Sequence, residues 1–141
     1  MRIWVCMLFL CCFGRLSAQQ PTVPAKDITR YLSFTNADFD MGLIPAGKPL
    51  EYNVTIKNIS RDTIRLLDVK AGCGCTTPKY RTGDLILPGK SIFITLGFNG
   101  SAVGEFSKTA DLFFTDSLTR QVKFRGFAVA DSALQKPAIN K

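Results

Sequence analysis

Glu51-Tyr52-Asn53-Val54-Thr55-Ile56-Lys57 alternates without a break, and its reading decides the fold. Tyr52, Val54 and Ile56 fall on one face, and the polar residues on the other. A period of two belongs to an extended strand, whose successive side chains point to opposite faces. Ser91-Ile92-Phe93-Ile94-Thr95-Leu96-Gly97-Phe98 repeats the pattern, with Ile92, Ile94, Leu96 and Phe98 inward. Gln121-Val122-Lys123-Phe124-Arg125-Gly126 repeats it again, with Val122 and Phe124 inward. Further strands are expected at 31–34, 39–43, 64–69, 84–87 and 108–115. Turn signals separate them: Pro45-Ala46-Gly47, Asn58-Ile59-Ser60-Arg61-Asp62, Pro88-Gly89-Lys90, Asn99-Gly100-Ser101 and Thr115-Asp116-Ser117. Each supplies a fixed φ, a positive φ, or a side chain that bonds its own backbone. No segment carries a helical stripe. The pattern predicts an all-β chain, an immunoglobulin-like antiparallel β-sandwich of about seven to eight strands. The disulfide-and-tryptophan signature of antibody domains is absent.

The ends read differently. Arg2 gives a short basic region, and residues 3–13 form an apolar run of signal-peptide length. That run is too short to span a bilayer, which takes about 20 residues. Leu16-Ser17-Ala18 offers a small residue for cleavage before Gln19. The expected organisation is a signal peptide at 1–18 and a flexible linker at 19–30. The sandwich follows at 31–129 and a flexible tail at 130–141. Lipidation and a retained anchor are the alternatives. A lipoprotein signal would need a cysteine where Gln19 stands, and no transmembrane span is expected after cleavage.

The leader takes Cys6, Cys11, Cys12 and Trp4 with it, leaving two cysteines. Beyond residue 18 there are 16 basic and 11 acidic residues, a charge of +5. Basic residues never form a run, so the footprint of a nucleic-acid binder is missing. The remaining 123 residues suffice for one domain with its own core.

There is no histidine. That removes Ser-His-Asp and Cys-His catalysis and every histidine-containing zinc site. No carboxylate pair is placed for acid–base work, and no helix exists to carry a phosphate loop. The expectation is a protein that is not an enzyme.

Ala71-Gly72-Cys73-Gly74-Cys75-Thr76-Thr77-Pro78 is the one stretch with chemistry of its own. Cys73 and Cys75 can close a tight disulfide, share a soft ion such as Cu(I), or remain as exposed thiols. Gly74 eases the small ring, and export favours the bond. Met41 is the one thioether beyond the leader and a conceivable third soft ligand. A bland reading makes the stretch a bend between strands. Asn36, Asp38 and Asp40 share a strand face but lack the loop spacing of a calcium site. Asp62-Thr63-Ile64, Asp116-Ser117-Leu118 and Asp131-Ser132-Ala133 match a short bacterial O-glycosylation signal, making Thr63, Ser117 and Ser132 candidate acceptors. Asn53, Asn58 and Asn99 begin N-glycosylation triplets that read here as strand and turn residues. Phe113-Phe114 places one ring outward, which on an edge strand would suit strand addition.

Several features combine into a resemblance. They are Phe34, Phe39-Asp40-Met41-Gly42, Asn58 at a strand end, Gly72-Cys73-Gly74-Cys75-Thr76, Pro88-Gly89-Lys90 and the late Gly126. Together they resemble the bacterial domain of unknown function numbered 1573. That domain is related to the Hydin-like and major-sperm-protein-like sandwiches, and the resemblance covers roughly residues 33–129. It implies an exported β-sandwich that binds or scaffolds, with no established reaction. The expected function is a non-enzymatic interaction or scaffolding module of the bacterial cell envelope. It would act in the periplasm or at the cell surface, without a cofactor, on an envelope protein or surface component. The alternative is a Cu(I)-binding or thiol-redox protein using Cys73 and Cys75. A third reading is an accessory subunit whose partner completes the ligand set.

Overall fold

A computed structural model describes residues 26–130. The signal peptide, most of the linker, the tail and Ser132 lie outside the described residues. A 3-10 turn (Ile28–Arg30), capped by the Asp27 carboxylate on Thr29 N at 3.1 Å, leads into nine strands. These are β1 (Leu32–Thr35), β2 (Asp38–Pro45), β3 (Leu50–Asn58), β4 (Ile64–Ala71) and β5 (Thr76–Lys79). β6 (Leu85–Ile86), β7 (Ser91–Phe98), β8 (Gly104–Phe114) and β9 (Thr119–Val129) complete them. One sheet has the order β1-β3-β7-β5 and the other β2-β9-β8-β4-β6.

The architecture is the immunoglobulin-like β-sandwich that the alternation predicts, and the inward sets of β3 and β7 face the core as read. Val54, Ile56, Ile94, Leu96 and Phe98 are buried, and so are Val122 and Phe124 of β9. Phe124 sits at the aromatic centre, with ring centroids 5.3 Å from Tyr52, 5.9 Å from Phe98 and 6.4 Å from Phe106. Phe98 and Phe106 stack at 4.8 Å. Such pairs add to the area each ring buries.

Three details depart from the sequence reading. β5 is a strand the alternation did not announce, because Pro78 interrupts the pattern and only Thr76 is buried. A proline is tolerated there because β5 is an edge that bonds β7 alone. β8 begins at Gly104, four residues before the expected start. β2 runs parallel to β9, while every other pair is antiparallel.

That parallel pair follows from a change of sheet. β1 pairs with β3, then the chain crosses at Asn36, and β2 joins the opposite sheet beside β9. Asn36 takes φ 63°, a left-handed conformation that asparagine tolerates, and its Nδ2 donates to Asn53 O at 3.1 Å.

Candidate functional site

The crossing leaves one flank of the sandwich open. β2 is the last strand of its sheet, and β1 covers β3 only from Thr55 to Asn58. The β2 edge and the Leu50–Tyr52 half of β3 therefore flank a seam between the sheets. Phe39, Met41, Ile44, Pro45 and Leu50 line it, with Leu43 and Glu51 at its rim. Phe39 stacks on Tyr52 at 4.9 Å. The Tyr52 hydroxyl is buried and hydrogen-bonds to no group among the described residues. Burial, with the Asp38 carboxylate adding to it, pushes this phenol well above its ordinary pKa, so it stays a neutral donor.

A bulge in β2 gives the edge a second apolar side. The register with β9 shifts between Asp40 and Leu43. Gly42 takes φ 65°, and its N–H donates to Asp40 Oδ1 at 2.8 Å. An unbroken period of two from Phe39 and Met41 would turn Leu43 inward. The bulge instead buries Ile44 and leaves Leu43 67% exposed. Leu43 lies opposite Phe127 of β9, itself 48% exposed. These two, with Gly42, Glu105, Arg125 and Gly126, line a shallow hollow of about 370 Å3. Gly126 has to be glycine: a Cβ there would stand 2.9 Å from Gly42 O and 2.9 Å from Phe106 Cζ. The two glycines let β2 and β9 approach where the bulge forms.

One arginine bridges two acids on this face. Arg125 Nη1 lies 3.3 Å from Asp38 Oδ1, and Arg125 Nε lies 3.3 Å from Asp40 Oδ2. The Gly42 N–H and then Arg125 hold the Asp40 carboxyl below the usual carboxylate range. Asp38 and Asp40 do share a face, as alternation predicts, but their counter-ion is Arg125. Asn36 turns away to Asn53 and does not join them.

At the other flank, Gly72 to Cys75 connects β4 to β5. Cys73 and Cys75 are bonded to each other, with Cα atoms 5.3 Å apart. Both are half-buried, and Cys75 packs against the core. Thr76 Oγ1 lies 3.7 Å from Cys73 Sγ and 4.0 Å from Cys75 Sγ. Gly72 permits the bend to press on β8, since a Cβ would meet Thr109 Oγ1 at 2.7 Å. Met41 sits on β2, at the opposite flank, and is not brought to the sulfurs.

The remaining sequence candidates are scattered. Thr63 and Ser117 are exposed, in the β3–β4 and β8–β9 connections. Asn58 is fully buried. Phe113-Phe114 is not on an edge, because β8 lies between β9 and β4. Phe114 is core, and Phe113 faces out beneath Lys70 Nζ, 5.1 Å from its ring centroid. At Phe113-Phe114 the strand is paired with β4 on one side and follows the β9 ladder on the other, so this pair presents no free edge for strand addition. The edge residues Leu43 and Phe127 were not singled out from sequence. The signal for them was the pair Gly42 and Gly126, which marks a bulge facing a tight contact.

Among solved structures, the chain is similar to a PapD-like domain of human CEP192. Identity is 9% and the TM-score 0.59, covering 83% of this chain and 99% of that one. It is similar to a protein of unknown function from Porphyromonas gingivalis W83, at 18% identity and TM-score 0.58. That match covers 75% of this chain and 51% of the other, so this chain spans about half of that protein's length. The SrpA adhesin of Streptococcus sanguinis matches at 11% identity and TM-score 0.54, over 78% and 64% of the two chains. At these identities the likeness is one of fold. Among curated proteins none matches this sequence. A family profile matches residues 32–128, nearly the whole sandwich, and the chain belongs to that family, described as Protein of unknown function (DUF1573).

Proposed function

We propose that this protein is an exported, non-enzymatic interaction module of the bacterial cell envelope. Its β2 edge takes up an extended segment of an envelope protein. The observation that carries this reading is the free β2 edge among the described residues, with a hollow on each side: Phe39, Met41 and Leu50 in the seam, Phe127 on the outer face, and Leu43 at the rim of both. An added strand would bond to the unpaired backbone of β2, and alternate side chains would fill the two hollows. The seam offers the buried Tyr52 hydroxyl as a further donor close by. Similar folds in an adhesin and in the YadV chaperone agree with a binding role. The leader expected at 1–18 is what supports export to the periplasm or surface.

The test is a photo-crosslinking amino acid at position 43, with position 93 as control, in the native host. Phe93 is equally exposed but lies mid-sheet on the opposite face. Position 43 should yield a discrete adduct that position 93 lacks. No adduct at 43, or identical adducts at both, would sink the edge as the binding surface.

The second reading uses Cys73 and Cys75 as a pair that opens to exchange thiols or hold Cu(I). The half-buried sulfurs, within reach of the Thr76 hydroxyl, are the observation that favours it. Alkylation of the exported protein without reductant, read by intact mass, tests it. Two cysteines that stay unmodified even after mild dithiol reductant, with no copper mass, would remove this reading.

A further inference from the structure

The end of the sandwich formed by the β3–β4, β6–β7 and β8–β9 connections is built around Asn58. Its N–H donates to Lys90 O at 2.9 Å, and its carbonyl accepts from Gly89 N at 2.9 Å. Its Nδ2 donates to Asp62 O and Ile86 O, both at 2.7 Å. Ile59 N donates to Tyr31 O at 2.9 Å, which fastens the start of β1 to the same end. Two apolar side chains project from this frame, Ile59 at 50% and Leu87 at 49% exposure.

The charge of the described residues is concentrated here. Asp27 and Arg30 form a local pair at 3.7 Å and cancel. That leaves Lys26, Lys57, Arg61, Arg65, Lys90 and Arg120, six cations, against Asp62 and Asp116, a net of +4. The rest of the described chain carries seven cations and seven acids and is neutral. Several of those pair with one another, as Arg125 does with Asp38 and Asp40, Lys79 with Glu51, and Arg81 with Asp84. None of the ion pairs among the described residues involves Lys57, Arg61 or Lys90.

We infer that this basic end, tipped by Ile59 and Leu87, docks on the surface of an anionic lipid bilayer. Cations near such a surface are attracted by its negative potential, and the apolar tips enter the headgroup boundary. A soluble polyanion would use the cations but would have no use for two exposed aliphatic side chains. The surface is separate from the β2 edge, so this inference does not depend on strand addition.

The experiment is co-sedimentation of the exported protein, its N-terminus read by intact mass, with vesicles. One set is pure phosphatidylcholine and the other contains phosphatidylglycerol. Binding should require phosphatidylglycerol. Each basic residue at an anionic surface contributes roughly fivefold in partition. The triple variant Lys57→Gln, Arg61→Gln, Lys90→Gln should therefore bind roughly 100-fold more weakly. A charge-matched control, Lys70→Gln, Lys108→Gln, Lys123→Gln, should stay close to the parent. Thermal melts establish that both triples are folded. Equal losses in both triples would mean net charge alone acts, and would overturn the assignment. So would equal binding to both vesicle types, or no binding to either. The variant Ile59→Ser with Leu87→Ser should also lose binding. Retention in that variant would show a polyanion site in place of a bilayer site and would equally overturn it.

Discussion

Replacing Asn58 by Ala should cost about 3 kcal/mol of stability, although it removes only a small polar side chain. The magnitude follows from its four side-chain hydrogen bonds. Nδ2 donates to Asp62 O and Ile86 O, and Oδ1 accepts from Ser60 N at 2.9 Å and Ser60 Oγ at 2.8 Å. Ser60 and Asp62 reach water, so each bond lost there costs a fraction of a kcal/mol to about 1 kcal/mol. Ile86 O is different, because its bond to Asn58 is buried and a buried acceptor stripped of its donor costs about 1–3 kcal/mol. In urea, with a slope near 2 kcal/mol/M, the midpoint should fall by about 1.5 M with the slope unchanged. A fall below about 0.5 M would refute the reasoning. Asn58→Asp sharpens the test. A carboxylate oxygen would then face two carbonyls in a buried site, which raises the folded-state pKa above the unfolded one. Below the unfolded pKa the acid is protonated in both states and can donate to one carbonyl, so the penalty is smallest there. It grows as pH rises to the folded pKa and is full above it. An Asp variant whose deficit against the parent is equal at pH 4 and pH 7 would mean the site is open to water.

Other consequences can be checked separately. Gly126→Ala forces Gly42 O and the Phe106 ring away from contacts near 2.9 Å, and should lower stability by about 1–3 kcal/mol in a thermal melt. Gly74→Ala, where an added Cβ meets nothing, is the matched control and should melt near the parent. Removing the Cys73–Cys75 bond by Ser substitution frees a three-residue ring only, so chain entropy sets the loss at about 1.5 kcal/mol. A loss above about 4 kcal/mol would mean the bridge shapes the β4–β5 bend beyond its cross-link. The Tyr80 hydroxyl, then the Val69 N–H and Lys70, hold Asp68 below the usual carboxylate range. A lowered pKa gives stabilisation that is present above the unfolded pKa and lost as pH falls through the folded one. Tyr80→Phe should move the Asp68 titration, followed by carboxyl NMR, upward, and an unmoved midpoint would remove Tyr80 as the main cause.

The legible part of this fold is the part whose strands are buried on one face. β3, β7 and the start of β9 pack against the core on one side and meet water on the other, so their sequences carry the period of two. β5 is different, because its single buried residue, Thr76, followed by Pro78, leaves no alternation to read. The parallel pairing of β2 with β9 joins residues about 85 positions apart, such as Asp40 and Arg125, and no local pattern encodes it. The bulge at Gly42 is the most consequential omission. It exchanges Leu43 for Ile44 at the core, so counting by twos assigns the exposed anchor of the edge to the interior. Gly42 and Gly126 were visible as glycines, but only their contact across the pair shows why each has to be one.

The two surfaces argued above differ in how they handle charge, and that difference separates them experimentally. On the β2 face, Arg125 bridges Asp38 and Asp40 and leaves a single negative charge among the three, so backbone groups and apolar side chains do most of the recognising. Such contacts respond weakly to salt. At the Asn58 end, Lys57, Arg61 and Lys90 are uncompensated and exposed, and their attraction to a charged surface falls with the screening length. That length is about 10 Å at 0.1 M salt and about 3 Å at 1 M. Raising salt should therefore release the protein from phosphatidylglycerol vesicles while leaving the adduct at position 43 largely intact. If both disappear together, one surface depends on the other, and the β2 edge meets its partner only once the basic end has brought the chain to the bilayer.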